Sequence, residues 1–173
     1  MPRQCRDGSC GSIHLGTFIK LSRTELSLSD EWETNQKLYE WLCAKYRFYP
    51  LCDVAATSQN RKCVEYFGKD KTFEHDRDGL SNTWFQRNWC NPPHSETELW
   101  VKKACKEFVE NRNETMMIIP ADSTCTQYAE ACIEGIAEKY SIYERPKFKN
   151  DLQDKPEPAR HSYYVIIWRR KLA

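Results

Sequence analysis

Apolar positions recur along this chain with the period of a helix in some stretches and as short unbroken runs in others. Three stretches place apolar side chains at the three- and four-residue spacing of one helix face. The first starts near Thr34 and ends before Pro50, and the others cover residues 96–111 and 124–140. Ser29 and Asp30, with the acidic residues after them, are typical of a helix entrance. We therefore predict three main helices.

Continuous apolar runs between these stretches predict short buried strands. The runs lie at residues 48–56, 87–90, 116–119, 141–143 and 163–168. Residues 58–71 are polar with a small apolar insert and predict a short helix followed by a short strand. Strands that alternate with helices predict an α/β domain with a mostly parallel sheet and helices on both faces.

Polar residues stand at the ends of three predicted strands. Asp53 ends the first, Asn91 follows the second, and Pro120-Ala121-Asp122 follows the third. In α/β folds, ligands sit outside the carboxyl ends of the strands, so we expect these segments to meet at one edge of the sheet. The sequence thus predicts one ligand site from three distant segments.

The composition fits one globular domain. The 173 residues are 40% hydrophobic and 29% charged, with a net charge of +1. No apolar run approaches the roughly 20 residues of a membrane span, and residues 1–11 lack the apolar segment of a secretory signal. A balanced charge predicts weak binding to nucleic acid unless basic residues cluster on one face. Arg169-Arg170-Lys171 and residues 145–149 could form such a face or be ordinary solvated charge.

The nine cysteines are scattered along the chain. Some, such as Cys43 and Cys90, lie in apolar runs, where a free thiol packs as a small hydrophobe. We expect reduced thiols and a cytoplasmic or nuclear location rather than secretion. Cys5 and Cys10 could be half of a zinc site, but no second pair at zinc-like spacing accompanies them, and we predict no metal site.

The segment Asn91-Pro92-Pro93-His94 suggests the most specific chemistry. An amino nitrogen conjugated with a nucleobase ring is a poor nucleophile. The Asn91 side-chain oxygen and a backbone carbonyl in the same turn could accept its two N–H bonds, which would free its lone pair for attack on a methyl donor. The prolines fix φ and make the turn rigid. His94 could stack on the base, act as a general base, or be an ordinary loop residue, since Asn-Pro also marks plain turns.

Four further segments allow a binding and a structural interpretation. Asp53 could hold a ribose hydroxyl or an ammonium group, or it could cap a helix. Asp78 and Leu80 could receive an adenine ring or form an Asp-Gly turn. Thr34 could donate to an anion at a helix N-terminus or simply occupy the first turn. Phe148 could cover a base or belong to the core.

These segments belong to a longer series of short motifs in a fixed order. The series comprises Asp30-Glu31-Trp32-Glu33-Thr34, Cys52-Asp53-Val54-Ala55-Ala56, Asn60-Arg61-Lys62-Cys63, Tyr66-Phe67, Asp78-Gly79-Leu80 with Trp84, Cys90-Asn91-Pro92-Pro93-His94-Ser95, Trp100-Val101-Lys102-Lys103-Ala104 and Ile119-Pro120-Ala121-Asp122-Ser123. Their order and spacing resemble those of the phage-type DNA N6-adenine methyltransferases, the Dam family of small phage enzymes. The similarity runs from about Asp30 to Trp168.

The resemblance implies a Rossmann-like class I methyltransferase fold and transfer of a methyl group from S-adenosyl-L-methionine to the exocyclic N6 amine of adenine in DNA. The cofactor-binding residues that it implies are Thr34, Asp53, Ala55, Asp78, Leu80 and Pro93. The catalytic residues are Asn91 and the Pro92 carbonyl, which would hold the amine, and His94, which would stack on the base. Ser95 and Phe148 would bind the substrate, with the adenine flipped out of the duplex.

Two positions depart from the family pattern. Asn35 stands where a proline usually follows Thr34, and His94 stands where Tyr or Phe is usual. The second departure leaves RNA adenine open as an alternative substrate. An alternative from another class is a non-catalytic nucleic-acid-binding or assembly module on the same scaffold.

The expected domain organisation is simple. Residues 1–29 are predicted to be a loosely structured leader, and residues 30–173 the methyltransferase domain. The chain looks too short for a separate target-recognition domain, so specificity is expected from loops such as residues 147–160 or from a protein partner. The resemblance implies a phage or viral protein that acts on nucleic acid in its host cell, without a membrane partner.

Overall fold

The computed structural model describes residues 33–142, 147–149, 157–158 and 162–170. The α-helices in these residues are α1 (Gln36–Tyr46), α2 (Thr97–Asn111) and α3 (Gln127–Cys132). The strands are β1 (Glu33–Thr34), β2 (Cys52–Asp53), β3 (Glu65–Tyr66), β4 (Arg87–Cys90), β5 (Glu114–Pro120), β6 (Glu138–Ile142), β7 (Lys147–Lys149), β8 (Glu157–Pro158) and β9 (Tyr163–Trp168). None of the described helices is long and apolar enough to cross a membrane.

The main sheet has six strands in the order β3-β2-β4-β5-β9-β6. β2 pairs in parallel with β3 and β4, and β4 pairs in parallel with β5. β9 lies between β5 and β6 and is antiparallel to both. The predicted α/β domain is therefore confirmed, with a mixed sheet in which the last strand runs against its neighbours.

The longest strand of the sheet, β5, shows why helices cover both faces. Met116 and Ile118 share a core cluster with side chains of α1, whereas Met117 and Ile119 share one with side chains of α2 and α3. All four side chains are at most 1% exposed. A strand that is buried on both faces needs an unbroken apolar run, and this run is what the sequence shows.

The first helix begins later than its apolar pattern predicts. Thr34 lies in β1 rather than in a first helical turn, and α1 starts at Gln36. The Asn35 side chain accepts a hydrogen bond of 2.8 Å from the Lys37 N–H and so caps the helix. The apolar spacing defines a face of the helix but not its first residue. The start of α1 is set by the Asn35 cap.

The direction of α1 follows from the contacts at its two ends. The carbonyl of Tyr46 accepts a hydrogen bond of 2.7 Å from the guanidinium of Arg169, directly after β9. Nearer its start, the ring of Tyr39 packs edge-on against Trp89 of β4 at a centroid distance of 5.1 Å. Because β9 is antiparallel to β5, its end lies where β4 and β5 begin. The N-terminus of α1 therefore points towards the edge where β4 and β5 end.

Two other predicted elements differ from the structure. The helix predicted over residues 124–140 is limited to α3, and residues 138–142 pair with β9 as β6. Gly135 separates the two elements with a φ of 74°, in the left-handed region that ends helices. Residues 58–71 form β3 and turns without the predicted short helix.

A second sheet contains β1, β7 and β8. β1 and β7 are antiparallel, with Thr34 opposite Phe148 in the register. The predicted leader, residues 1–29, lies outside the described residues, as do Cys5 and Cys10.

Candidate active site

The carboxyl ends of β2, β4 and β5 lie side by side along one edge of the main sheet, here called the rim. Asp53 ends β2, Asn91 directly follows β4, and these two strands are parallel neighbours. β5 ends at Pro120, whose partner in the register is Tyr163 at the start of β9. The three predicted polar segments therefore share one edge, and the antiparallel β9 adds a fourth segment to it.

The loop Asn91-Pro92-Pro93-His94 is held at both ends. It leaves the sheet directly after the buried Cys90, and Pro92 is buried while Asn91 is partly exposed. The Pro93 carbonyl accepts a hydrogen bond of 3.0 Å from the Glu96 N–H. The 3₁₀ turn that follows runs directly into α2. Two prolines with fixed φ between a buried strand and a helix give the loop little conformational freedom.

The imidazole of His94 contacts a residue that the sequence did not mark as part of the site. Its Nε2 lies 3.1 Å from the hydroxyl of Tyr163, and the two ring centroids are 5.8 Å apart at an interplanar angle of 44°. Tyr163 is 2% exposed. Burial raises its pKa to about 12, so the phenol keeps its proton at neutral pH. The contact depends on the antiparallel direction of β9, which the apolar pattern alone does not reveal.

The carboxylate of Asp53 is buried and organises the loop after β2. One carboxylate oxygen accepts from the Lys62 N–H at 2.9 Å, and the other accepts from the Ala55 N–H at 3.4 Å. Burial raises the pKa of Asp53 to about 6, and the two backbone hydrogen bonds oppose this shift. No helix follows β2 directly, so Asp53 does not cap a helix. Its carboxylate instead fixes the shape of the chain at the end of β2.

The turn Asp78-Gly79-Leu80 lies against the end of β2. A Cβ atom at Gly79 would come within 2.1 Å of the Val54 carbonyl oxygen, so only glycine allows this approach. The Trp84 indole N–H holds the turn by donating to the Gly79 carbonyl at 2.6 Å. Within the turn, the Asp78 carboxylate accepts from the Leu80 N–H at 2.9 Å. Tertiary packing thereby brings the predicted adenine-binding residues beside the predicted ribose-binding residue.

Thr34 and Phe148 are paired through their backbones in the small sheet. Thr34 is 2% exposed, and its hydroxyl has no hydrogen-bond partner in the part of the chain that the structure describes. Because Thr34 lies just before α1, it stands at the end of that helix which points towards the rim. A buried hydroxyl without a partner costs free energy unless another group satisfies it.

The remaining predicted residues lie around these groups. Ser95 is exposed in the 3₁₀ turn that begins at His94, and Ala55 is partly buried in the loop that Asp53 organises. Among the described residues, no cluster of three or more His, Cys, Asp or Glu side chains could hold a metal ion. The groups that the described residues bring to the site are amide, carbonyl, imidazole, hydroxyl and carboxylate groups.

The fold and the site together define a class of α/β protein in which a rigid Asn-Pro-Pro-His loop lies at the carboxyl end of an inner strand of a mixed sheet. The sequence profile of the DNA N-6-adenine-methyltransferase (Dam) family matches residues 21–172. The match covers most of the chain, so the chain belongs to this family, and the predicted resemblance is confirmed.

A curated relative supports the same assignment. A protein of Escherichia phage T1 named DNA N-6-adenine-methyltransferase is 29% identical over 119 residues, which are 67% of this chain and 46% of the relative. The chain therefore matches about half the length of that relative.

Proposed function

We propose that the protein transfers a methyl group from S-adenosyl-L-methionine to the exocyclic N6 amine of adenine in DNA. The observation that carries the proposal is the rigid Asn91-Pro92-Pro93-His94 loop at the carboxyl end of β4, beside the end of β2. Membership of the DNA N-6-adenine-methyltransferase family supports the reaction and the substrate.

The proposed fold is the Rossmann-like class I methyltransferase fold. Supporting features are the helices on both faces of the sheet and the antiparallel β9 between β5 and β6. We assign residues 30–173 to this domain. The described cysteines are all free thiols, consistent with a reducing cytoplasmic or nuclear compartment of a host cell.

The proposed cofactor site lies at the end of β2. The Gly79 turn packs against the Val54 carbonyl and presents Asp78 and Leu80 there, which suits the adenine end of the cofactor. The buried Thr34 hydroxyl, without a partner among the described residues, suits a polar group at the methionine end. Ala55 and Pro93 would line the space between, and Asp53 would keep the loop in shape. When bound, S-adenosyl-L-methionine supplies an electrophilic methyl group.

The chemistry assigned to the chain itself is positioning. The Asn91 side-chain oxygen and the Pro92 carbonyl oxygen accept hydrogen bonds from the two N6–H groups. These bonds draw the amine towards a tetrahedral geometry and localise its lone pair. Proline at position 93 has no N–H of its own to compete as a donor in this turn. Orientation of the amine before the reaction removes much of the entropic barrier to methyl transfer.

The target adenine must leave the base stack to reach the rim. His94 would stack on one face of the base, and Phe148, whose backbone pairs with Thr34, would cover the other face. Ser95 would contact the substrate beside His94. Sequence preference would come from the loops near residues 147–160 or from a protein partner.

Labelled S-adenosyl-L-methionine, incubated separately with unmethylated DNA and RNA, tests the proposal. Nucleoside analysis of the products should find N6-methyladenine in the DNA. N6-methyladenine in the RNA alone would show that RNA rather than DNA is the substrate. Cofactor binding without methyl transfer to either nucleic acid would favour the non-catalytic alternative.

A further inference from the structure

A second candidate site lies at the edge of the main sheet opposite the rim, where β4 and β5 begin and β9 ends. A cleft of about 740 Å³ opens there, and its lining includes the basic residues Lys45, Arg47, Arg87, Arg169 and Arg170. We call it the cationic cleft. Along β5, whose seven residues each rise about 3.3 Å, it is separated from the rim by roughly 20 Å. The cleft therefore lies apart from the residues assigned to methyl transfer.

The charges around the cleft do not balance. The acidic residues in its lining are Glu114 and Glu138. Glu138 pairs with Arg169 at 2.6 Å, and Glu114 pairs with Arg170 at 3.5 Å. The other basic residues of the cleft, Lys45, Arg47 and Arg87, have no carboxylate partner among the described residues.

Contacts among the lining residues hold the cleft in shape. The rings of Tyr46 and Tyr140 stack at a centroid distance of 4.6 Å, and the Tyr46 carbonyl accepts a hydrogen bond of 2.7 Å from the Arg169 guanidinium.

The C-terminal end of α1 contributes about half a negative charge to the cleft, which disfavours an anion. The three basic side chains that lack a carboxylate partner within the described part of the chain outweigh that half charge, so the local field favours a ligand with several negative charges.

Exposed aromatic side chains flank these basic residues. Trp41 is 49% exposed, and the ammonium group of Lys45 lies 4.4 Å from the centroid of its ring. Tyr49 is 57% exposed. It stands two residues before Leu51, whose N–H donates to the Arg87 carbonyl at 2.9 Å. Basic residues interleaved with exposed aromatic rings are typical of surfaces that bind unpaired nucleic acid, because the cations contact phosphates and the rings stack on bases.

We propose that the cationic cleft binds the phosphodiester backbone of single-stranded DNA, with unpaired bases stacked on Tyr49 and Trp41. This site is independent of methyl transfer at the rim, and it would let one molecule hold a second DNA segment while its rim engages a target. The overall charge of +1 means that this affinity must come from the local cluster rather than from the whole surface.

Fluorescence anisotropy with a short labelled oligo(dT) tests the cleft, because this ligand offers no adenine to the rim. Arg47→Gln/Arg87→Gln should weaken binding at least about tenfold and make its salt dependence shallower by about 1.4 logarithmic units per unit of log salt. Lys102→Gln/Lys106→Gln removes the same charge from the exposed side of α2 and should change the affinity little. Tyr49→Ser should weaken binding of oligo(dT) more than binding of a duplex. Thermal unfolding verifies that each variant is folded.

Unchanged oligo(dT) affinity in the Arg47→Gln/Arg87→Gln variant, or an equal loss in the Lys102→Gln/Lys106→Gln variant, would overturn the proposal. Equal affinity of the wild type for a duplex and for oligo(dT) would overturn the assignment to single strands. Methylation of a short duplex, measured in parallel, should be unaffected by the cleft variant, whereas Asn91→Ala should lose methylation and keep oligo(dT) binding. These two measurements distinguish loss of DNA binding at the cleft from loss of the proposed methyltransferase activity at the rim.

Discussion

The hydroxyl of Tyr163 lies 3.1 Å from Nε2 of His94, and this contact joins the start of the last strand to the loop after β4. The two residues are 69 positions apart in the sequence, and their contact orients the imidazole ring of His94. Because Tyr163 is buried and keeps its proton, it is a fixed neighbour rather than a second titrating group. The contact therefore orients the imidazole before any substrate arrives, which is what its proposed role as a stacking surface requires.

Tyr163→Phe should reduce turnover without abolishing it. The substitution removes the hydroxyl and keeps the aromatic ring in the core. A lost hydrogen bond of this kind is worth about 0.5–1.5 kcal/mol, which corresponds to a reduction of about two- to tenfold in kcat/KM. Steady-state kinetics on DNA would show the effect as a rise in KM together with a fall in kcat. Tyr164→Phe, one residue along β9, is the matched control and should keep the wild-type rates. Wild-type kinetics in Tyr163→Phe would show that His94 needs no such support.

His94→Phe should be tolerated, because the proposed role of this residue is to stack on the target base. The phenyl ring restores the aromatic side chain that is usual in the family and cannot carry a proton. His94→Ala should lose both stacking and turnover. Methyl-transfer rates of the two variants, with DNA affinity measured in parallel, separate the roles. Inactivity of His94→Phe despite normal DNA binding would instead favour a general base at this position.

Asn91→Ala should abolish methyl transfer while the protein still binds S-adenosyl-L-methionine. The substitution removes the side-chain oxygen proposed to accept an N6 hydrogen, and loss of such a group costs about 10²-fold or more in kcat. Asn91→Asp keeps an acceptor at this position and should retain much more activity than Asn91→Ala. Calorimetry with the cofactor and single-turnover transfer to DNA measure the two properties separately. Normal turnover of Asn91→Ala would rule out the proposed mechanism.

The sequence predicts the rim well because its signals are local. Asn91 and Asp53 stand at the ends of apolar runs, and the carboxyl ends of parallel strands share an edge by topology alone. The contact of Tyr163 with His94 was not predictable in the same way, because it depends on the direction of β9. The approach of Gly79 to β2 has no local sequence signal either, since it arises from the packing of a turn onto a distant strand.

The start of α1 shows a different limit of the sequence pattern. Apolar spacing indicates the buried face of the helix only in part, because Leu42 and Tyr46 lie in the core whereas Trp41, which shares the spacing, is 49% exposed. It does not determine whether Thr34 is the last residue of a strand or the first of a helix. The Asn35 side chain decides this by capping the helix.

Gly79→Ala should destabilise the protein and weaken cofactor binding. The added methyl group would meet the Val54 carbonyl oxygen at 2.1 Å, so the turn must move away from β2. Overpacking of this kind costs about 1–3 kcal/mol. Gly135→Ala is a useful contrast, because its Cβ has open space and its cost comes only from a φ of 74°. Urea unfolding and cofactor calorimetry should show lower stability in both variants but weaker cofactor binding in Gly79→Ala alone. Unchanged cofactor affinity in Gly79→Ala would remove this turn from the proposed cofactor site.

Asp53 should give the stability of the fold a pH dependence of known sign. Burial raises its pKa to about 6, whereas an aspartate in an unfolded chain titrates near about 3.9. Because the folded state has the higher pKa, the stabilising contribution of this group is complete below about pH 4 and is lost as the pH rises through about 6. The free energy of unfolding of the wild type relative to Asp53→Asn should therefore fall by about 3 kcal/mol between about pH 4 and pH 7. Urea titrations at a series of pH values measure this difference, and Glu110→Gln on the exposed side of α2 should keep the wild-type profile. If the difference in the free energy of unfolding between wild type and Asp53→Asn stays constant with pH, burial does not raise the pKa of Asp53 in the folded protein.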